Sequence, residues 1–506
     1  MRARFEAALA APWAVPVALP VLVLISLYLR TRQLHAGFWI DEGISVGIAH
    51  EHWTSIPGLL HQDGSPPLYY MLLGLWIRVF GDSEIATHAL SLVFGIACVP
   101  LAYFAARNVF GDRRTGLVAA VIAALDPFLT YYATETRMYE LEALLSILVC
   151  WSFVEGVIRA RNAWLVGFVV STTLLAYAHN WGLFLCVGLA AATAIAVRQR
   201  ARRFVYAAIA VAILYLPWVP ILLSQAAHTG APWSTRPSLH DLVLSAGSAV
   251  GGDAPFIALV LVGGVALWGV VAHHQSEERT IVTALAAMVA VTVVAAFISS
   301  QVSPAWTTRY FAVIVGPMVL LAGQGLRRAR GLGFAALVAI VFLFAGYEVH
   351  NDKENARGIV NGVKPYLKQG ELIISTHPEQ TPVLRYYAGA GYRWATTLGP
   401  TKDPHIFDWR DAVSRLDAAK AQPTMDKLLA TVKPGQEFVV IEPVFRDYRA
   451  WRAKWTKLVW RKATAWSWLL EHDQRYQVVA HVVSDEIALK ENYFKPVQAF
   501  VYKRLR

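Results

Sequence analysis

Eleven apolar runs of roughly bilayer-spanning length dominate the first 347 residues of this chain, at 12–29, 87–106, 115–132, 138–158, 163–178, 181–197, 204–223, 255–272, 281–298, 305–322 and 331–347. A helix of about 20 apolar residues matches a hydrocarbon layer about 30 Å thick. The 506 residues are 56% hydrophobic and 16% charged, where a soluble chain carries about 25% charge. These runs therefore predict a polytopic α-helical membrane protein of about eleven transmembrane helices. Cys98, Cys150 and Cys186 all sit inside apolar runs, so no disulfide framework is expected. The first run is too long for a cleaved signal and lacks a small-residue cleavage site, so it reads as a retained first helix.

Basic residues set the expected orientation. Arg2 and Arg4 precede the first run, and alternate loops carry Arg107/Arg113/Arg114, Arg159/Arg161, Arg198/Arg200/Arg202/Arg203 and Arg327/Arg328/Arg330. The 273–280 loop is the weak member, being mixed in sign. The N-terminus is thus expected on the cytoplasmic side. With an odd helix count, everything after Tyr347 falls outside. The first outer loop, about 31–86, contains an apolar stretch at 67–80 of borderline length. It reads as a juxtamembrane helix lying in the interface, with a true span as the alternative; a span would invert all the arginine loops downstream.

Beyond the membrane part, 1–349, the chain changes character. Short β-type runs at 371–375, 437–441, 478–483 and 497–503 alternate with polar helical stretches, which predicts a soluble extracytoplasmic α/β domain over 350–506. Within it, the 446–462 segment interleaves cations with Trp451, Trp455 and Trp460. That segment reads either as a solvated helix with an aromatic inner face or as an interfacial helix contacting anionic lipid or glycan.

The residues that could carry chemistry gather on the outer loops. Asp41 and Glu42 stand in Gly37-Phe-Trp-Ile-Asp-Glu-Gly-Ile-Ser45, just past the first span. Two adjacent acids at a lipid interface are costly to keep, and their context outweighs a plain helix-capping role. A second outer loop packs Asp126, Glu135, Arg137, Glu140 and Glu142 around the mouth of two helices. Arg137 could hold a phosphate through its planar fork or pair with Glu135 or Asp126 to lock the helices. His179 and Asn180 occupy a third loop, as site lining or as structural helix-end residues. Arg309 lies at a fourth mouth, as a snorkelling anchor or a phosphate ligand. Metal-ligand spacing is weak: His50, His52 and His61 with Asp63 are the one group to weigh. No phosphate-cradling glycine loop, nucleophile elbow or nucleic-acid motif is present.

Four segments in order, Phe38-Trp-Ile-Asp-Glu-Gly43, Asp63-Gly-Ser-Pro-Pro-Leu-Tyr-Tyr70, Phe80-Gly-Asp-Ser-Glu84 and Glu135-Thr-Arg-Met-Tyr139, resemble the GT-C superfamily. The chain looks most like bacterial glycosyltransferase family 39, relatives of protein O-mannosyltransferases and lipid A aminoarabinose transferases. Leu216-Pro-Trp-Val-Pro220 and Arg309-Tyr310 match further recurring segments. The resemblance spans about 37–317 and is specific as a set. It implies the GT-C fold and a polyprenyl-phosphate-linked sugar donor used on the outer face. It also implies an acid base at Asp41 and donor-phosphate contacts from Arg137, Tyr139, Arg309 and Tyr310. Many relatives carry His where this chain has Ser65, a departure that puts in doubt any acceptor or metal role of that position.

Together these readings predict an inverting glycosyltransferase that moves a sugar, mannose by expectation, to a glycan, lipid or protein hydroxyl. Asp41 is the base and Glu42 its support. Asp63, Tyr69, Asp126, Tyr132, Glu135, His179 and Asn180 are expected to line the substrates. No cofactor is expected with certainty, and a divalent metal is left open. No nucleic-acid partner is expected. The rival class is a transporter or flippase, which internal repeats and charges at the bilayer midplane would favour.

Overall fold

The computed structural model describes residues 14–273, 276–347, 353–445, 451–483 and 496–506. Arg2, Arg4, His274, Gln275 and the first five residues of the basic tryptophan segment lie outside the described residues.

Over the described residues, each apolar run forms helix along most of its length. Six helices are long and apolar enough to cross a membrane: Glu84–Phe110, Tyr139–Ile158, Arg198–His228, Asp253–His273, Glu277–Val302 and Thr308–Arg328. Shorter apolar helices at Ala14–Thr31, Asn162–Ala178, Gly182–Ala196 and Arg330–Ala345 complete the multi-pass bundle. The 115–132 run is a broken helix, Arg113–Leu125 followed by Pro127–Tyr132. Pro127 cannot donate the next hydrogen bond of the first helix. Asp126 instead caps the second, accepting from the Phe128 backbone N–H at 2.9 Å.

The stretch at 67–80 is the helix Leu68–Phe80, of 13 residues. At 1.5 Å per residue it reaches about 20 Å, short of the hydrocarbon thickness. It lies against a helix the apolar pattern did not predict, Ile40–His50, which carries both acids.

The two ends of the bundle differ in chemistry. At one, arginines pair with acids across helix ends: Arg327 with Asp112 at 2.9 Å, Arg159 with Glu277 at 2.8 Å, and Arg328 with Glu278. At the other end lie the acid helix Ile40–His50, the 133–138 loop and the start of Thr308–Arg328.

The chain beyond 353 folds as a six-stranded sheet with helices. Its strands are β1 Leu372–Ser375, β2 Arg393–Thr396, β3 Gly399–Pro400, β4 Glu437–Pro443, β5 Tyr476–Val482 and β6 Val497–Arg504, in the order β3-β2-β1-β4-β6-β5. β1 runs parallel to β2 and β4, while β6 is antiparallel to β4 and β5. The four β-type runs became β1, β4, β5 and β6; β2 and β3 were missed because Arg393-Trp-Ala-Thr396 and Gly399-Pro400 carry too few β-branched residues to stand out.

Strand alternation divides the core. Leu372, Ile374, Phe438 and Val440 face a small core closed by Trp466. Ile373, Val439 and Ile441 face a large core that continues without a break into the membrane helices. In the tryptophan segment, Trp451 and Trp455 are buried in that larger core, whereas Trp460 is exposed.

Candidate active site

The acid helix Ile40–His50 begins at Trp39 and is almost wholly buried, although its composition is mixed. Two glycines explain how it is accommodated. A β-carbon on Gly43 would lie 2.6 Å from the Val383 backbone, and one on Gly47 would lie 1.9 Å from the His405 carbonyl oxygen. The spacing of four places both glycines on one face of the helix. Backbone therefore meets backbone across that face.

The two acids have opposite environments. Asp41 keeps 20% of its side chain exposed and pairs with the Arg309 Nη2 at 3.2 Å. The Arg309 guanidinium also lies 4.8 Å from the Trp233 ring centre, 5.1 Å from Trp39 and 5.7 Å from Tyr310. Such an aromatic setting fixes a cation in place while leaving its planar fork for an anion.

Glu42 is fully buried. Its carboxylate accepts from Lys353 Nζ at 2.8 Å to each oxygen, His88 Nε2 at 2.8 Å and the Thr136 N–H at 2.7 Å. The Trp39 N–H is a fourth donor group, at 3.3 Å, closing the helix start. Burial pushes this carboxyl up, but Lys353 and His88 outweigh it and hold Glu42 well below the usual carboxylate range. Glu42 is thus a structural hub and has no free edge toward a substrate.

The expected donor-phosphate residues converge only in part. Arg137 Nη1 donates to Ser45 Oγ at 3.0 Å and to Tyr70 OH at 3.1 Å, and Tyr70 donates to Asp63 at 2.8 Å. Arg137 forms no ion pair with Glu135 or Asp126; it braces the acid helix instead, with its Nη1 3.5 Å from the Asp41 carbonyl oxygen. Its guanidinium lies 5.9 Å from the Tyr139 ring, and Tyr139 lies 6.5 Å from Tyr310. His179 packs 4.6 Å from Tyr310, with its Nδ1 3.3 Å from the buried Glu142. Asn180 donates to the Gly64 carbonyl at 3.0 Å and so steadies the loop after Asp63.

A cavity of about 430 Å³ opens beside Arg309, lined by Trp39, Tyr131, Tyr132, Glu135, Thr308 and Lys353 among others. That is ample for a small polar group. Tyr132 and Glu135 thus lie on it, whereas Asp126, buried under its helix cap, and Tyr69, bonded to Ser91 at 3.3 Å, do not. Burial, with Glu42 and Asp41 nearby, outweighs Lys353 and Arg309 and pushes the Glu135 carboxyl up to about 7.

The histidine group weighed for metal is dispersed. His50 pairs with Asp82 at 2.9 Å, His52 with Thr54 at 2.8 Å, and Asp63 with Tyr70. Among the described residues no group of three or more His, Cys, Asp or Glu side chains is placed to hold a metal ion. The three cysteines are free.

Sequence reasoning missed Lys353, His88, Ser45, Tyr70 and Trp233. Lys353 lies in the polar stretch Asn351-Asp-Lys-Glu-Asn355, which reads as linker and gives no sign of burial. Tyr70 lay in a quoted motif, Asp63 to Tyr70, but nothing in the motif separates it from Tyr69.

Residues 64–223 match the family of dolichyl-phosphate-mannose-protein mannosyltransferases. No curated protein matches the chain. Among solved structures, ArnT from Cupriavidus metallidurans in the apo state is similar with a TM-score of 0.62 and 13% identity, covering 97% of this chain and 98% of that one. The same protein bound to undecaprenyl phosphate gives a TM-score of 0.63 and 12% identity, with the same coverage. The Archaeoglobus fulgidus oligosaccharyltransferase in its apo form gives 0.56 and 11%, covering 87% of this chain and 70% of that one. The chain therefore has the GT-C fold that its sequence motifs resemble, across both the membrane helices and the C-terminal sheet.

Proposed function

We propose that this protein is a membrane glycosyltransferase that moves a sugar from a polyprenyl-phosphate-linked donor to an acceptor hydroxyl. We place the reaction on the outer face of a bacterial plasma membrane, where the arginine-rich helix ends mark the opposite, cytoplasmic side. Mannose is the sugar we propose, on the strength of the family matched at 64–223. That ArnT from Cupriavidus metallidurans, of similar fold, has been solved bound to undecaprenyl phosphate supports the choice of carrier.

The observation that carries the reading is the Asp41–Arg309 pair at 3.2 Å beside the cavity. One group of the pair is a base and the other an anion ligand, at the end of the bundle that meets the C-terminal sheet. In the proposed step, Asp41 takes the proton of the acceptor hydroxyl. The acceptor oxygen forms a bond to the anomeric carbon as the carbon–oxygen bond to the phosphate breaks, with inversion. The electron pair leaves with the polyprenyl phosphate. Arg309 stabilises that charge from its aromatic cage, Tyr310 and Tyr139 flank it, and Arg137 adds positive potential from behind the acid helix. Tyr132 and Glu135 line the substrate cavity. A glycan, a lipid or a protein could each supply the hydroxyl.

The test uses purified protein in vesicles with a labelled polyprenyl-phosphate mannose and a panel of hydroxyl acceptors. Asp41→Asn should lower transfer by about 100-fold or more, as expected for loss of a general base. Full transfer by that variant would remove Asp41 from the role.

A further inference from the structure

We propose that the chain beyond the last membrane helix is a working part of the transfer site, with Lys353 as a positioning residue for Asp41. This rests on the glycosyltransferase reading above.

Lys353 enters the interior from the first described residues after Tyr347 and is 5% exposed. Its ammonium donates to both Glu42 oxygens at 2.8 Å and to the Thr134 carbonyl oxygen at 2.6 Å. All three of its protons therefore have acceptors on the two segments that carry the site, the acid helix and the 133–138 loop. The same Glu42 carboxylate accepts from the Thr136 N–H, so Lys353 and Glu42 tie Asp41 on one side to Glu135 and Arg137 on the other. Ser91 Oγ, 2.5 Å from the Glu135 carbonyl and 3.1 Å from that of Arg137, pins the loop from below.

The acid helix and the residues just before it are held from the same side at four further points. Val383 and His405 occupy the space above Gly43 and Gly47. Tyr387 OH accepts from the Phe38 N–H at 2.7 Å, just before the helix, and donates to Glu84 at 2.6 Å. Arg357 donates to Glu84 at 3.0 Å and to the His35 carbonyl at 3.2 Å. Arg309, by contrast, stands on the membrane helix Thr308–Arg328 and pairs with Asp41, although it and Lys353 line the same cavity. The geometry thus separates two duties. The C-terminal part sets where Asp41 stands, and the membrane bundle holds the donor phosphate.

The experiment compares full-length Lys353→Arg, Lys353→Met and Lys353→Met/Glu42→Gln in vesicles. Lys353→Met leaves Glu42 buried without its cation and is the variant most prone to misfold; the double variant removes both charges and should keep a melting temperature within a few degrees of wild type. For the double variant, kcat should fall by about 100-fold, the scale of an ångström-sized misplacement. Its KM for the polyprenyl-phosphate donor should stay within about twofold, since the phosphate ligands are untouched. Lys353→Arg should recover most of the turnover. Hydrogen exchange of the 40–50 and 133–138 backbone amides should rise in the double variant while the rest of the chain is unchanged. Wild-type kcat with unchanged exchange in a folded double variant would overturn the positioning role, as would a raised KM at unchanged kcat. If the wild type transfers no sugar, the glycosyltransferase reading fails, and the exchange measurement still decides whether Lys353 orders the acid helix.

Discussion

Arg309 shares one guanidinium between a carboxylate and three aromatic rings, and that arrangement makes it hard to replace. Lysine keeps the charge but loses the planar fork and the stacking. Arg309→Lys should therefore lower kcat/KM for the lipid-linked donor by about 10- to 100-fold, or about 1.4 to 2.8 kcal/mol, measured by initial rates in vesicles. Glu42 makes a different prediction. Its folded pKa lies below the ordinary value of 4.5, so its stabilisation is fully present above that value and is lost as pH falls below it. The melting temperature of the wild type should drop between pH 5 and 3. Glu42→Gln should melt lower at pH 7, since an unpaired buried Lys353 costs about 3–5 kcal/mol, and should show a shallower acid limb. At this scale the sequence marked Asp41 and Arg309 by type and place. The resemblance set Asp41 apart as the base with Glu42 in support, but the burial that distinguishes their surroundings was not legible, because the burying groups come from 46 to 311 positions away.

The acid helix is short, of mixed polarity, and follows no apolar repeat that would mark it as buried. What makes it fit is Gly43 and Gly47, where another backbone comes closer than any side chain allows. Gly47→Leu should push the helix off the His405 loop, lower the melting temperature by several degrees and abolish transfer; Ser45→Ala, on the same helix, should cost far less stability. Differential scanning fluorimetry on both variants checks this, and a Gly47→Leu protein as stable as wild type would refute the close approach. The membrane helices were legible because a bilayer demands long apolar runs, each of which satisfies its own backbone hydrogen bonds. The Asp126-Pro127 break was visible only as residues, since its consequence depends on the cap that Asp126 forms. The short strands β2 and β3 were not legible, because two to four residues of mixed composition carry no period to read.

Across the whole molecule, one apolar cluster runs from the membrane helices through Val383 and Trp409 to Trp455. Membrane part and C-terminal sheet therefore share a core, and calorimetry should show a single unfolding transition in detergent. Two well-separated transitions would mean that the shared core does not couple them. The sequence by itself determined the class of protein and the number of helical runs, because hydropathy acts through local composition. It also carried the motifs that resemble GT-C enzymes. Only the tertiary structure decided which acid keeps some exposure and which is fully buried. It also decided that Arg137 braces a helix rather than forming an ion pair, and that a lysine from a linker-like stretch sits beneath the site. Each of these depends on groups far apart in the chain meeting in a low-dielectric interior, where a partner's position rather than a residue's identity fixes its charge and its role.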